Sequence, residues 1–286
     1  MNVYRRSVVW FTLPVTLALF ALLIYPLLSA LWSSLNARSE GGASRFVGLG
    51  NYADLFASRD FLVAMGHTLT YTLFSTVGSF LIGFSLALAM QVVPPTLRWV
   101  STLLILPLAV MPVVSGLTWG MMLNPSLGVI NSVLSSLHLT PQLWATDTTT
   151  ALPTLIGIDI WQWFPFCYLI LYAGLQALPR EPYEAAYIDG ATRWQQLLFI
   201  TVPLLMPIIL ITLTFRMMEA FRAFDVIYVI TQGGPGDATK TLLLRAYEQG
   251  FLFHNLNVAA VYGVVILIVT TVVARYAARL IVRGET

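Results

Sequence analysis

Apolar residues gather into six long runs separated by short polar stretches, at about 8–35, 62–91, 98–123, 152–178, 204–231 and 257–280. Each run supplies the roughly 20 apolar residues with which an α-helix crosses a hydrocarbon core of about 30 Å. The pattern predicts six transmembrane helices, and an even number of crossings places both termini on one side. The first run exceeds the roughly 7–15 residues of a signal-peptide core. Pro14 and Pro26 inside it predict a kinked helix that stays in the membrane.

Composition agrees with this reading. Hydrophobic residues make up 58% of the 286 positions and charged residues 10%, against about 25% charged in soluble domains. A net charge of +2 gives no footprint for nucleic acid, and 13% aromatic residues suit interfacial belts. One cysteine, Cys167, excludes an internal disulfide and is expected to pack in an apolar run. His67, His138 and His254 are scattered, so neither a metal-spaced cluster nor a nucleophile–base constellation is present in the sequence.

Basic residues orient the chain. Arg5, Arg6, Arg98, Arg180, Arg193, Arg275, Arg279 and Arg283 fall on one side of the six spans; Arg38, Arg45, Arg59, Lys240 and Arg245 fall on the other. Because positive charge favours the cytoplasm, both termini and the 179–203 connection are expected there. The 36–60 and 124–150 connections are then external, and the latter carries no Lys or Arg.

The 179–203 connection is the substantial polar interruption in the second half of the chain. Pro182 suits a first helical turn, Asp189-Gly190 stops the helix, and Thr192 with Gln195 has capping-box spacing for the next one. A helix-turn-helix at a membrane surface is a form in which motion passes to a soluble partner. Its residues Glu184-Ala185-Ala186, then Gly190, then Ile200 through Pro203 resemble the cytoplasmic signature of permease subunits of binding-protein-dependent ABC importers. Val202 stands where that family usually has Leu. The resemblance implies that Glu184, Ala185, Ala186, Asp189, Gly190 and Pro203 form an ATPase-coupling element whose first helix enters a groove on the ATP-hydrolysing subunit.

Two further segments extend the resemblance. Phe46-Val47-Gly48-Leu49-Gly50-Asn51-Tyr52-Ala53-Asp54-Leu55-Phe56 and the run from Phe224-Asp225 to Gly233-Gly234-Pro235 are similar to segments of maltose-transporter-type (MalF-like) sugar permeases. The family implies an all-α type I importer permease of six transmembrane helices with a cytoplasmic coupling helix, in a bacterial or archaeal inner membrane. The implied partners are a second related permease, two ATPase subunits that carry ATP and Mg, and an external solute-binding protein. Asn51, Tyr52, Asp225, Gly233, Gly234 and Pro235 become candidates for an external gate or a binding-protein contact. A carbohydrate is the expected cargo, with an anionic solute such as glycerol 3-phosphate as the alternative.

This chain is expected to bind no cofactor and to catalyse nothing. The stretch from Gly234 to Thr241 approaches a phosphate-binding loop, but Thr239 occupies the position of its second glycine.

Charges inside the spans remain. Asp159 lies in the fourth, and Arg216, Glu219, Arg222 and Asp225 in the fifth, where an ionisable side chain costs about 2.5–3.5 kcal/mol on insertion scales. At i, i+3 spacing with alternating sign, the fifth-span charges fit a self-neutralising ladder along one helix; they equally fit a pathway lining. Asp159 with Trp161, Trp163, Phe164 and Tyr168 offers the aromatic faces and polar groups that sugars require. Gly116 with Gly120, and Ser75 with Ser79 and Gly83, are small-residue stripes suited to helix packing. A rival reading is an ion-coupled carrier working through Asp159 and Glu219, opposed by the coupling signature and the lack of an evident inverted repeat.

Overall fold

A computed structural model describes residues 2–38 and 44–284; positions 39–43 of the expected external 36–60 connection lie outside the described residues. In chain order the helices are α1 (Asn2–Leu19), α2 (Tyr25–Ser34), α3 (Gly50–Ala57), α4 (Arg59–Gln91), α5 (Trp99–Ala109), α6 (Pro112–Met122), α7 (Val129–Ser136), α8 (Ala151–Gln176), α9 (Glu181–Ile188), α10 (Arg193–Gln196), α11 (Val202–Phe221), α12 (Asp225–Ile230), α13 (Leu242–Tyr247) and α14 (Leu256–Gly284). Strands β1 (Asn36–Arg38) and β2 (Ser44–Phe46) form a short antiparallel hairpin, Asn36 opposite Phe46.

Among the described residues, five stretches are long and apolar enough to cross a membrane: Phe11–Ser34, Arg59–Gln91, Ala151–Gln176, Arg193–Ile230 and Leu256–Arg279. The sixth expected span, 98–123, is two helices, α5 and α6, bent by 93°. The break follows from Pro112, whose ring drives the residue before it out of the helical region. Met111 takes ψ 138° and Val110 ψ 129°. The amide of buried Gln162 on α8 donates to the freed carbonyl of Val110 at 2.8 Å.

The chain divides into two compact units, with boundaries inside α4 and α14. One comprises Met1–Leu62 and Leu242–Ile268. Its polar staple is centred on the chain leaving α2. Asn51 Nδ2 donates to the carbonyls of Ser34 (2.8 Å) and Asn36 (2.9 Å), and Asn257 Nδ2 donates to those of Ser33 (2.8 Å) and Asn36 (2.7 Å). Tyr52 shares a hydrogen bond of 2.7 Å with Ser34 Oγ. Arg245 pairs with Glu248 at 3.2 Å and with Asp60 at 3.6 Å.

The other unit, Val63–Thr241 with Val269–Thr286, is organised around α8, which packs against α5, α6, α11 and α12. Ala87, Met90, Cys167, Tyr168, Leu171, Leu175, Leu205 and Ile209 form one buried cluster. Lipid tails are as apolar as these side chains, so the helices associate by close packing and hydrogen bonds rather than by escape from water. Gly83 illustrates this: a Cβ there would lie 2.7 Å from Cys167 Cβ and 2.9 Å from the Phe164 carbonyl, so α4 reaches α8 because the side chain is absent. The Gly116 stripe is likewise used within the chain, Gly116 facing Val229 on α12.

Candidate coupling element and buried polar site

The 179–203 connection folds into two short helices whose ends are closed by backbone and side-chain bonds. Pro182 sits in the first turn of α9, where its missing N–H costs nothing. The helix ends at Asp189 in a Schellman arrangement: Gly190 N donates to Tyr187 O at 3.1 Å and Ala191 N to Ala186 O at 2.9 Å. Gly190 has φ +75°, a conformation that favours glycine. Thr192 then caps α10: Gln195 N donates to Thr192 Oγ1 at 3.3 Å and Thr192 N donates to Gln195 Oε1 at 2.8 Å. Tyr183 donates to Thr201 Oγ1 at 3.0 Å, tying α9 to the turn that enters α11. Pro203 lies in the first turn of α11.

This pinning leaves one face of α9 outward. Tyr187 is 79% and Ile188 84% exposed, with Glu184 and Ala185 exposed beside them and Ala186 half-buried. An apolar tip on a doubly capped turn is a contact surface that no other described residue covers.

The second feature is a buried polar site joining three helices. Arg216 of α11 is fully buried; its Nη2 donates to Asp159 Oδ2 on α8, and its Nε donates to Ser79 Oγ on α4 at 2.9 Å. The guanidinium carbon lies 5.5 Å from the centre of the Trp163 ring, close enough for a cation–π contact. Ser79 Oγ in turn donates to the carbonyl of Ser75.

This arrangement corrects the expected ladder along the fifth span. Arg216 bonds across to Asp159 because α11 packs against α8, and a fully buried charge gains from partners on two other helices, Asp159 on α8 and Ser79 on α4. Glu219 pairs instead with Arg222 at 2.5 Å, and both side chains are nearly half exposed. The helix then breaks at 222–224, and exposed Asp225 begins α12.

The expected aromatic cluster also separates. Only Trp163 joins Asp159 and Arg216. Trp161 packs edge-to-face on Trp119 at 5.3 Å. Tyr168, fully buried, shares a 2.6 Å hydrogen bond with Ser101 and stacks on Tyr172; Phe164 lends its backbone to the contact with Gly83. Ser79 and Gln162 were missed as functional residues by the sequence. A serine stripe signals packing, and a lone glutamine in an apolar run gives no sign of the carbonyl it will meet.

Of the external candidates, Asn51, Tyr52, Gly233, Gly234 and Pro235 shape their own segments, while Asp225 is exposed. Asn51 and Tyr52 hold the end of α2. Gly233, with φ +90°, and Gly234-Pro235 form the turn after α12; Thr239 Oγ1 donates to Gly234 O at 2.9 Å, and Thr239 N to Gly233 O at 3.2 Å. Thr239, the residue that spoils the phosphate-loop pattern, is thus a buried clamp of this turn.

This membrane helix bundle, with its capped helix-turn-helix between long helices, has the type I ABC importer permease fold of the transporter chains it matches. The chain belongs to the family of binding-protein-dependent transport system inner membrane components, whose profile matches residues 69–285. It is 34% identical over 246 residues to the trehalose/maltose transport system permease protein MalF of Thermococcus litoralis, covering 86% of this chain and 82% of the relative. It is 33% identical over 261 residues to the sn-glycerol-3-phosphate transport system permease protein UgpA of Escherichia coli, covering 88% of each. Its fold matches a chain of a bacterial ABC transporter involved in import of the acidic polysaccharide alginate, with TM-score 0.85, 24% identity, and 99% and 97% of the two chains covered.

Proposed function

We propose that this permease forms half of the pathway of an ATP-driven carbohydrate importer, working with a second permease, two ATPase subunits that hold ATP and Mg, and an external solute-binding protein. The chain itself is non-catalytic, and both termini and the α9–α10 turn face the cytoplasm. The observation that carries this reading is the doubly capped turn with an outward apolar tip at Tyr187 and Ile188. Closure of the ATPase pair moves this turn as a body, and the Tyr183–Thr201 bond passes the displacement to the start of α11. Docking of the loaded binding protein and of ATP then favour the same outward-open state, so uptake follows from coupled population shifts.

A neutral solute fits the span charges better than an anion. Arg216 is neutralised by Asp159 and Arg222 by Glu219, so neither arginine offers an uncompensated charge to a phosphate. Similarity to the UgpA permease keeps glycerol 3-phosphate as the second reading.

The test is purification of the tagged chain in mild detergent with identification of its companions. Recovery of a second permease and an ATPase whose hydrolysis rises with a sugar-loaded binding protein supports the proposal. A solitary chain without ATPase activity, or uptake that survives ATP depletion at constant ion gradients, defeats it.

A further inference from the structure

The short helix α7 has three distinct faces around its axis. Val129, Val133 and Leu137 follow one another at i, i+4 and i+8 and are 52%, 52% and 62% exposed. Ile130, Asn131 and Leu134 turn inward, the asparagine buried and the other two half-buried. Ser132, Ser135 and Ser136 fill the remaining arc and are exposed. An exposed apolar stripe therefore runs beside an exposed polar one, with the protein on the third side.

Asn131 fixes the roll of the helix. Its Nδ2 donates to the carbonyls of Pro125 at 3.1 Å and Gln142 at 3.0 Å, and its Oδ1 accepts from Gln142 N at 3.1 Å and Trp144 Nε1 at 2.9 Å. Both donors of the amide and both lone pairs of its oxygen are used. Turning the Val129–Leu137 stripe toward the protein would break all four bonds.

The neighbouring segments place this stripe at a membrane. α6 exposes Val113, Leu117 and Met121 at the same i, i+4, i+8 spacing, and Leu127 is exposed in the turn that follows. Asn124 Oδ1 accepts from the amides of Ser126 and Leu127, both at 3.0 Å, so the chain passes from α6 to α7 in one tight turn. α7 thus begins where the 98–123 apolar run ends. Its eight residues rise about 12 Å, far short of the roughly 30 Å of a hydrocarbon core, so it cannot cross.

Charge argues against a soluble protein as the occupant. From Trp99 to Thr146 the chain has no Asp, Glu, Lys or Arg, whereas soluble partners are steered and registered by complementary charge. Free amphipathic helices commonly use a basic face to reach lipid. α7 is delivered to the surface by the helices on either side of it and needs no such face.

We infer that α7 is an interfacial helix that lies along the membrane surface where α6 ends, with Val129, Val133 and Leu137 among the acyl chains and Ser132, Ser135 and Ser136 at the headgroups. It sets the depth at which α6 leaves the bilayer, whatever solute is carried.

The test uses the full chain in lipid nanodiscs, in a Cys167→Ala background because Cys167 is its one cysteine. Nitroxides are placed singly through Val129→Cys, Val133→Cys and Leu137→Cys, and through Ser132→Cys and Ser136→Cys. The ratio of collisions with oxygen to collisions with a soluble nickel chelate is expected to be several-fold higher at the first three positions than at the two serines. Equal chelate access at all five overturns the inference, since the stripe then faces water; equal shielding at all five overturns it too, since the helix is then submerged. The measurement is repeated on the importer assembled with its second permease and ATPase and with loaded binding protein. Retained oxygen access supports lipid as the occupant, and its loss at Val129, Val133 and Leu137 assigns the stripe to a protein partner and overturns the inference. Should a labelled variant fail to fold, the same question is read on the parent chain from methyl labels at these three residues. A spin label carried by lipid is expected to broaden them and a soluble gadolinium chelate to spare them; the reverse overturns the inference.

Discussion

Arg216 on α11 and Asp159 on α8 are fifty-seven residues apart and share a buried hydrogen-bonded ion pair that neither helix could satisfy alone. Taking one partner away strands a charge, while taking both away leaves apolar side chains in an apolar place. Asp159→Asn or Arg216→Met alone is therefore expected to destabilise the protein by about 3–5 kcal/mol, and Asp159→Leu with Arg216→Met to recover most of that loss. Thermal unfolding in detergent measures both. If the double variant is as unstable as either single one, the pair is not a closed unit; if it is stable yet fails to transport, the pair serves the pathway as well as the fold.

Gly190 is the residue on which the coupling turn depends. A Cβ built there meets nothing within 4 Å, so the cost of a side chain comes from its φ of +75° alone. Gly190→Val is expected to cost about 1–2 kcal/mol locally and to lower ATPase association and uptake at unchanged membrane levels. Gly190→Asn, which accepts the left-handed conformation more readily, keeps both. Full uptake by the valine variant would show that the turn does not carry the motion.

How much of this was legible in the chain depends on the range of the forces involved. The α9–α10 turn is built from bonds between residues at most five apart, such as Thr192 with Gln195 and Ala191 with Ala186, and its signals stand in sequence order. Long apolar runs likewise announce helices by length. The pairing of Arg216 was not legible, because i, i+3 spacing offered Glu219 as an equally good partner and only the packing of α11 on α8 selects Asp159. The same holds for Asn51 and Asn257, 206 positions apart, whose shared acceptor on Asn36 no local pattern discloses.

Asp147 gives the 124–150 connection a pH dependence. Its carboxylate accepts from the hydroxyl of Thr149 and from the Thr149 amide at 2.8 Å, and these bonds lower its pKa below the ordinary 3.8. A lowered folded-state value stabilises the turn at pH above the ordinary carboxylate range, and that contribution is lost as pH falls through the lowered value. Hydrogen exchange at the Thr149 amide is expected to be slow at neutral pH and to lose protection on acidification below about pH 4. Asp147→Asn should flatten this dependence. A profile unchanged by that substitution would assign the protection to the surrounding backbone.

Gln162 is the last test, because it separates hydrogen bonding from packing at the α5–α6 break. Its Nε2 meets the carbonyl of Val110, while its Oε1 is buried and accepts no bond among the described residues. Gln162→Leu removes that unmet acceptor along with the donor, so part of the loss is returned and the net fall in stability is expected near 1 kcal/mol, below the roughly 1–3 kcal/mol of a stranded carbonyl alone. Gln162→Glu, in its ionised form, keeps the shape, loses the donor and adds a buried charge, and is expected to fall further. Thermal unfolding of the two variants decides the matter. A glutamate variant as stable as the parent would mean that the 93° bend is held by Pro112 and helix packing without help from the amide.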